Sequence, residues 1–228
     1  MTSHFHRELE KLKRMILSLG AMVEDRVRKV KKAVDTIDAD LAREIIGTDI
    51  EIDYMEVEVE EECLKAMALY QPVAVDLRFL IAVIKINNEL ERIGDQAVNI
   101  AERLLIVAKQ SRHNFMFDYS SMLRKAEKML NMSLDALVNL DVELALKVCA
   151  MDDEVDKIKK KAYDKIKQGM HEYPQQLGYL INLLLISRHL ERIADHTTNI
   201  AEEVIYMIEG DIIRHGRIKE KSGKQGKS

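Results

Sequence analysis

Tryptophan is absent from the 228 residues, proline occurs twice, phenylalanine four times and glycine nine times. A β-sandwich or barrel needs turn residues every ten positions or so and many aromatic and β-branched side chains, so that class is nearly excluded. Cysteine is scarce too. Cys63 and Cys149 lie inside helical patterns with no metal-type spacing, which reads as two buried free thiols in a reducing compartment. No sign of charge dominates: 35 Lys and Arg against 39 Asp and Glu leave -4, so no basic field points to nucleic acid or an anionic membrane. Long apolar runs are missing as well. Residues 1–8 carry no apolar leader, and the longest near-apolar run, Tyr179 to Ile186, is interrupted by Asn182. The expectation is a cytoplasmic protein, not secreted and without a membrane span.

What the chain does have is helical periodicity. Phe5, Leu9, Leu12, Ile16, Leu19, Val23, Val27, Val30, Val34 and Ile37 follow one another in steps of four and three, a single face at about 100° per residue. Asp38 follows as an N-cap for a second helix expected to run to Gln71. The only prolines, Pro72 and Pro174, each separate two long helical patterns and read as the turns of helical hairpins.

The chain also repeats itself. Residues 90–102 return at 190–202 with nine of thirteen positions identical, and the prolines recur at an offset of 102. A period of this length is too long for a solenoid and suits a duplicated three-helix unit. The fold expected is all-α: two tandem homologous three-helix bundles, six long helices in an elongated molecule. The repeats would occupy 1–110 and 118–213, joined through Gln110 to Asn114, with a disordered basic tail at 217–228.

The duplicated segments carry acids. Ile86, Leu90, Ile93, Ala97, Ile100 and Leu104 form one side of a helix, and Asn88, Glu91, Asp95, Asn99 and Glu102 fall on the other. Glu91 and Asp95 are i,i+4 neighbours, and like charges at that spacing cost stability unless something neutralises them. Asp49 and Asp53 repeat the spacing on the preceding helix. Asp53 lies 19 residues before Pro72 and Glu91 lies 19 after it, while Asp49 and Asp95 are each 23 away. An antiparallel hairpin therefore lifts all four carboxylates to one height, provided the faces turn toward each other. Repeat two offers Asp152, Asp156, Glu191 and Asp195 in the same construction around Pro174. Hard cations that favour oxygen (Fe, Mn, Mg, Ca) are the natural partners of such a set, more than one per site. A solvated acidic face paired with Arg92 and Arg192 is the plain alternative. Arg188, standing where repeat one has Asn88, would fill the second pocket with its own charge.

Other chemistry is poorly supported. None of the seven histidines has a Glu three residues before it, which speaks against a ferritin-like di-iron centre, and His196 reads as a packing residue or a support to the metal ligands. The basic segments Arg26 to Lys32 and Lys157 to Lys167 read as solvated helix faces. No nucleophilic triad is legible, and an enzyme is not expected.

Gln71-Pro72-Val73-Ala74-Val75-Asp76-Leu77-Arg78, then Glu91-Arg92-Ile93-Gly94-Asp95, then Glu191-Arg192-Ile193-Ala194-Asp195-His196 with Asn199-Ile200-Ala201-Glu202, resemble the PhoU family of phosphate-uptake regulators across nearly the whole chain. The resemblance implies a cytoplasmic negative regulator of phosphate uptake and phosphate-starvation signalling. Its partners would be the high-affinity Pst phosphate transporter and a PhoR-type sensor histidine kinase, with a second copy as homodimer partner. It also implies multinuclear metal on the acidic motifs, iron foremost, with zinc, manganese or magnesium as alternatives. Carried over by position, the ligands are Asp49, Asp53, Glu91, Asp95, Asp152, Asp156, Glu191 and Asp195. A metal- or phosphate-binding helical protein and a metal-free scaffold are the competing readings.

Overall fold

The first apolar stripe becomes helix α1, Ser3–Thr36, and buries Phe5, Leu9, Leu12, Ile16, Leu19, Val23, Val27 and Val30 as expected. The computed structural model describes residues 3–109 and 115–210. The expected joint at 110–114 and tail at 217–228 lie outside the described residues. Ile37 drops out of the stripe: it sits past the helix end, exposed, in the left-handed region at φ 52°. The chain reverses there, with the Asp38 amide donating back to the Ala33 carbonyl at 2.9 Å. Asp38 caps the next helix as predicted, its carboxylate accepting from the amides of Asp40 and Leu41.

The single helix expected from Asp38 to Gln71 is in fact two, α2 (Ala39–Gly47) and α3 (Asp49–Tyr70). The interruption has a tertiary cause. The Thr48 carbonyl accepts from the Arg26 guanidinium of α1, and also from the Glu51 amide three residues on, which takes it out of the regular i to i+4 ladder. After Pro72 comes α4 (Ala74–Ala108). Repeat two follows as α5 (Ser120–Asn139), α6 (Val142–Glu172), a single 3-10 turn at Pro174–Gln176, and α7 (Leu177–Glu209). Among the described residues all regular structure is helical. The six-helix plan thus stands with its second member broken. The 34, 35 and 33 residues of α1, α4 and α7 make rods of about 50 Å at 1.5 Å per residue.

The two repeats share one apolar core rather than standing apart. Gly20 brings α1 against α5, since a Cβ there would lie 3.0 Å from a Leu134 methyl. Helices α4 and α7 form the central seam and run antiparallel. Lys85 meets Glu203 at 3.0 Å, Glu89 meets His196 at 2.7 Å, and Gln96 meets His189 at 2.9 Å. With the 100-residue offset, the last two contacts join the same two repeat positions twice, so the seam has a local two-fold axis. No helix among the described residues is long and apolar enough to cross a membrane. Both cysteines are free, and burial pushes each thiol up to about 12.

Candidate functional site

The hairpin of α3 and α4 brings the first acidic set together. Asp49 and Asp53 come from the first turns of α3, Glu91 and Asp95 from the middle of α4. Burial, then the charges of Asp95, Glu56 and Asp53, push Glu91 up to about 7, and a hydrogen bond with Asp95 adds to the shift. Asp95 is itself raised, by burial and by Asp49 and Asp53. The two helix faces have therefore turned toward each other, the rotation that level arithmetic alone left open.

One residue at this site was misread from sequence. Arg26 belongs to a segment expected to be a solvated face, yet it is 5% exposed. Its Nη1 donates to Asp49 Oδ1 at 2.6 Å. The signal was available: Arg26 lies three residues after Val23 and four before Val30, on the edge of the apolar stripe. Desolvation nonetheless wins at Asp49, whose carboxyl is raised despite the guanidinium. Gly94 lets α4 approach closely, since a Cβ there would stand 3.3 Å from an Ile52 methyl and 3.6 Å from Arg26 Nη1.

Repeat two keeps the carboxylates and moves the cation. Asp152 and Asp156 on α6 face Glu191 and Asp195 on α7. Burial and the neighbouring acids push Asp195 up to about 6 although the residue is exposed, and Asp152 is raised for the same reasons. The expected occupant, Arg188, stays exposed. Lys159 donates to Glu191 instead. At the offset of 103 that relates Asp49 and Asp53 to Asp152 and Asp156, Lys159 matches Glu56 and Met129 matches Arg26. The first site therefore takes its cation from α1 and carries a fifth acid, Glu56, itself raised by burial. The second takes its cation from α6 at the position of that fifth acid.

The chemistry of these donors suits a hard cation, because several half-buried carboxylates hold protons more tightly than they would in water. They are close in electrostatic terms but not drawn into a cage: among the described residues no three His, Cys, Asp or Glu side chains converge as metal ligands would. Of the two sets the first fits metal better, its one internal cation being held at the edge by Asp49 and the Thr48 carbonyl.

His196 is turned to the seam. It and Asn199 bond to Glu89, and these bonds outweigh the burial that would raise that carboxyl, holding it below the usual range. His189 is pushed down to about 4 by burial and by Arg192, Arg103 and Arg188. Neutral at physiological pH, it donates from Nδ1 to Gln96 Oε1.

The duplicated helical hairpin with one acidic face per copy is matched by a family model described as the PhoU domain, which fits the chain twice, at residues 16–104 and 119–204. The chain belongs to the PhoU family. A phosphate-specific transport system accessory protein PhoU homolog of Aquifex aeolicus is 36% identical over 94% of this chain and 97% of its own. The homolog of Pseudomonas aeruginosa is 34% identical over 94% and 89%. The crystal structure of PhoU from Pseudomonas aeruginosa superposes with a TM-score of 0.88, covering 91% of this chain and all of that one at 35% identity. That of the phosphate transport system regulatory protein PhoU from Streptococcus pneumoniae gives 0.81 at 28% identity, over 92% of this chain and 100% of that one. As a member of this family of accessory and regulatory proteins, the chain is not an enzyme.

Proposed function

We propose that the chain is a cytoplasmic negative regulator of phosphate uptake, an adaptor linking the Pst transporter to a PhoR-type sensor kinase, whose first acidic face holds metal. The regulatory role is supported by relatives that match nearly end to end and are named as accessory proteins of phosphate-specific transport. Deleting the gene in its host should derepress phosphatase expression under ample phosphate, and unchanged expression would count heavily against the adaptor role.

The observation that carries the metal reading is the set of Asp49, Asp53, Glu91 and Asp95, brought to one level by the α3–α4 hairpin, where burial and then neighbouring acids raise the carboxyls of Asp49, Glu91 and Asp95. Iron is the leading candidate, with manganese, zinc or magnesium as alternatives. A bound metal would supply the positive charge that the site lacks and would tie α3 to α4, so that hairpin stability follows metal occupancy. In repeat two, Asp152, Asp156, Glu191 and Asp195 would hold metal more weakly, because Lys159 already neutralises Glu191. Elemental analysis by plasma mass spectrometry on gently purified protein tests this. Asp53→Ala/Glu91→Ala should remove most of the metal and Asp156→Ala/Glu191→Ala little of it. Wild type that arrives metal-free and takes up neither iron, manganese nor zinc would remove the metal from the reading.

A further inference from the structure

Helix α3 has two apolar sides. Ile52, Val59, Cys63 and Ala66 enter the core. On the opposite side, Ile50, Tyr54, Val57 and Leu64 are each more than half exposed. With Glu61 and Ala68 they follow steps of four, three, four, three and four, the register of a helix that expects a helical neighbour. The matching side of α6, at the offset of 103, shows what an ordinary outward face of this fold looks like: Asp153, Lys157, Lys160, Asp164, Lys167 and His171. The core positions correspond as well, Ile52 to Val155, Val59 to Ala162 and Cys63 to Ile166, all buried. The two helices therefore sit alike, and the row that is apolar on α3 is charged or polar on α6, where the exposed Tyr163 stands off that row at the place of Glu60.

Charge identifies what covers this face. At 100° per residue, Glu51 and Glu58 flank one edge of the row, Asp53 and Glu60 flank the other, and Glu61 lies within it, all exposed; Lys65, at the angle of Tyr54, pairs with Glu61 and Glu62 and leaves the face net negative. We propose that the outward side of α3 docks a basic amphipathic helix of a partner protein, with large apolar residues at three-four spacing flanked by Lys or Arg. Acidic edges repel phosphates of nucleic acid and anionic lipid alike. A second copy's α3 would set acid against acid. A second copy's α6 would satisfy the charges but offers Lys and Asp where Tyr54, Val57 and Leu64 need apolar contacts. The face from Ile50 to Leu69 spans about 30 Å at 1.5 Å per residue, the length of a partner helix of roughly 20 residues. Asp53 borders both this face and the first acidic set, so peptide binding is measured in chelator and its outcome does not depend on metal.

The test uses the full chain and two fluorescein-labelled helical peptides of 20 residues, one with leucine in the apolar row and lysine on its flanks, the other with glutamate on its flanks. Fluorescence anisotropy should show binding of the lysine peptide, at least tenfold tighter than of the glutamate peptide. Tyr54→Lys/Leu64→Lys, which changes only exposed positions, should weaken it at least tenfold. The matching α6 pair, Lys157→Ala/Lys167→Ala, should leave it within twofold. Amide hydrogen exchange of wild type should slow on residues 50–69 when the peptide is added. Absent binding, binding indifferent to the α3 substitutions, or protection elsewhere would overturn the proposal. So would light scattering that finds a dimer of wild type which Tyr54→Lys/Leu64→Lys converts to monomer, because a second copy would then be the occupant.

Discussion

Replacing Glu91 by glutamine removes a charge that the folded chain resists, and the effect should depend on pH in a direction the geometry fixes. Glu91 is raised from the ordinary 4.5 to about 7, first by burial and then by Asp95, Glu56 and Asp53. The folded state thus binds the proton more tightly than the unfolded state. Below about 4.5 both states are protonated and the repulsion is absent; as pH climbs to 7 the folded chain loses stability, and above 7 the loss is complete. Full burial would make that interval worth about 3 kcal/mol, but Glu91 is only half-buried, and solvent screening leaves about 1 to 2 kcal/mol. Glutamine removes this loss, and its amide can donate to Asp95. Thermal melts in chelator at pH 8 should therefore place Glu91→Gln about 4 °C above wild type, at roughly 2 to 4 °C per kcal/mol for a chain of this size. At pH 5 the gap should shrink to about 1 °C, since only about a fifth of the interval has been crossed. Equal melting temperatures at pH 8, or the same increment at both pH values, would refute the reasoning.

Arg26→Met, which gives repeat one the residue found at the matching place of repeat two, strips the cation from Asp49 and the donor from the Thr48 carbonyl. It should cost about 2 to 3 kcal/mol in denaturant unfolding at pH 7, and a loss under 0.5 kcal/mol would mean that the contact is incidental. His196→Ala leaves the shielded Glu89 carboxylate with Asn199 but without its imidazole partner. Thermal melts at pH 7 should show a loss of about 2 kcal/mol, against no loss if water replaces the ring freely. Leu140 ends α5 in the left-handed region at φ 52° with its side chain exposed. Leu140→Gly should gain up to about 1 kcal/mol in urea unfolding, because relieved backbone strain exceeds the added entropy of the unfolded chain.

Those features that depend on neighbours in sequence were legible. The α1 stripe, the Asp38 cap, the hairpin turns at both prolines and the shared level of the acids all follow from spacing along one or two helices. What escaped depends on a third helix. The break at Thr48 is made by Arg26, 22 residues away on α1, and no local signal at Gly47-Thr48 was strong enough to outweigh a continuous helical pattern. The charge of the same guanidinium predicts a surface residue, whereas its place beside Val23 and Val30 buries it. Arg188 was expected in the second pocket on charge alone, whereas helix geometry turns it outward and lets Lys159 reach across from α6. Comparing the repeats position by position would have flagged Lys159, since it replaces Glu56.

The local two-fold axis at the α4–α7 seam makes this chain a homodimer closed in one polypeptide. In a true dimer of identical repeats every substitution appears twice, so a lysine set into one acidic face would be set into both. Joining the copies removed that constraint. Position 89 could remain glutamate in one half and become histidine in the other, giving the seam one contact to a carboxylate and one to an amide where symmetry would have forced two alike. The same freedom let one half keep five crowded acids while the other acquired Lys159, and let one outward helix turn apolar while its twin stayed charged. Two halves that differ in charge and in outward surface are a consequence of fusion that no symmetric assembly of the single repeat could reach.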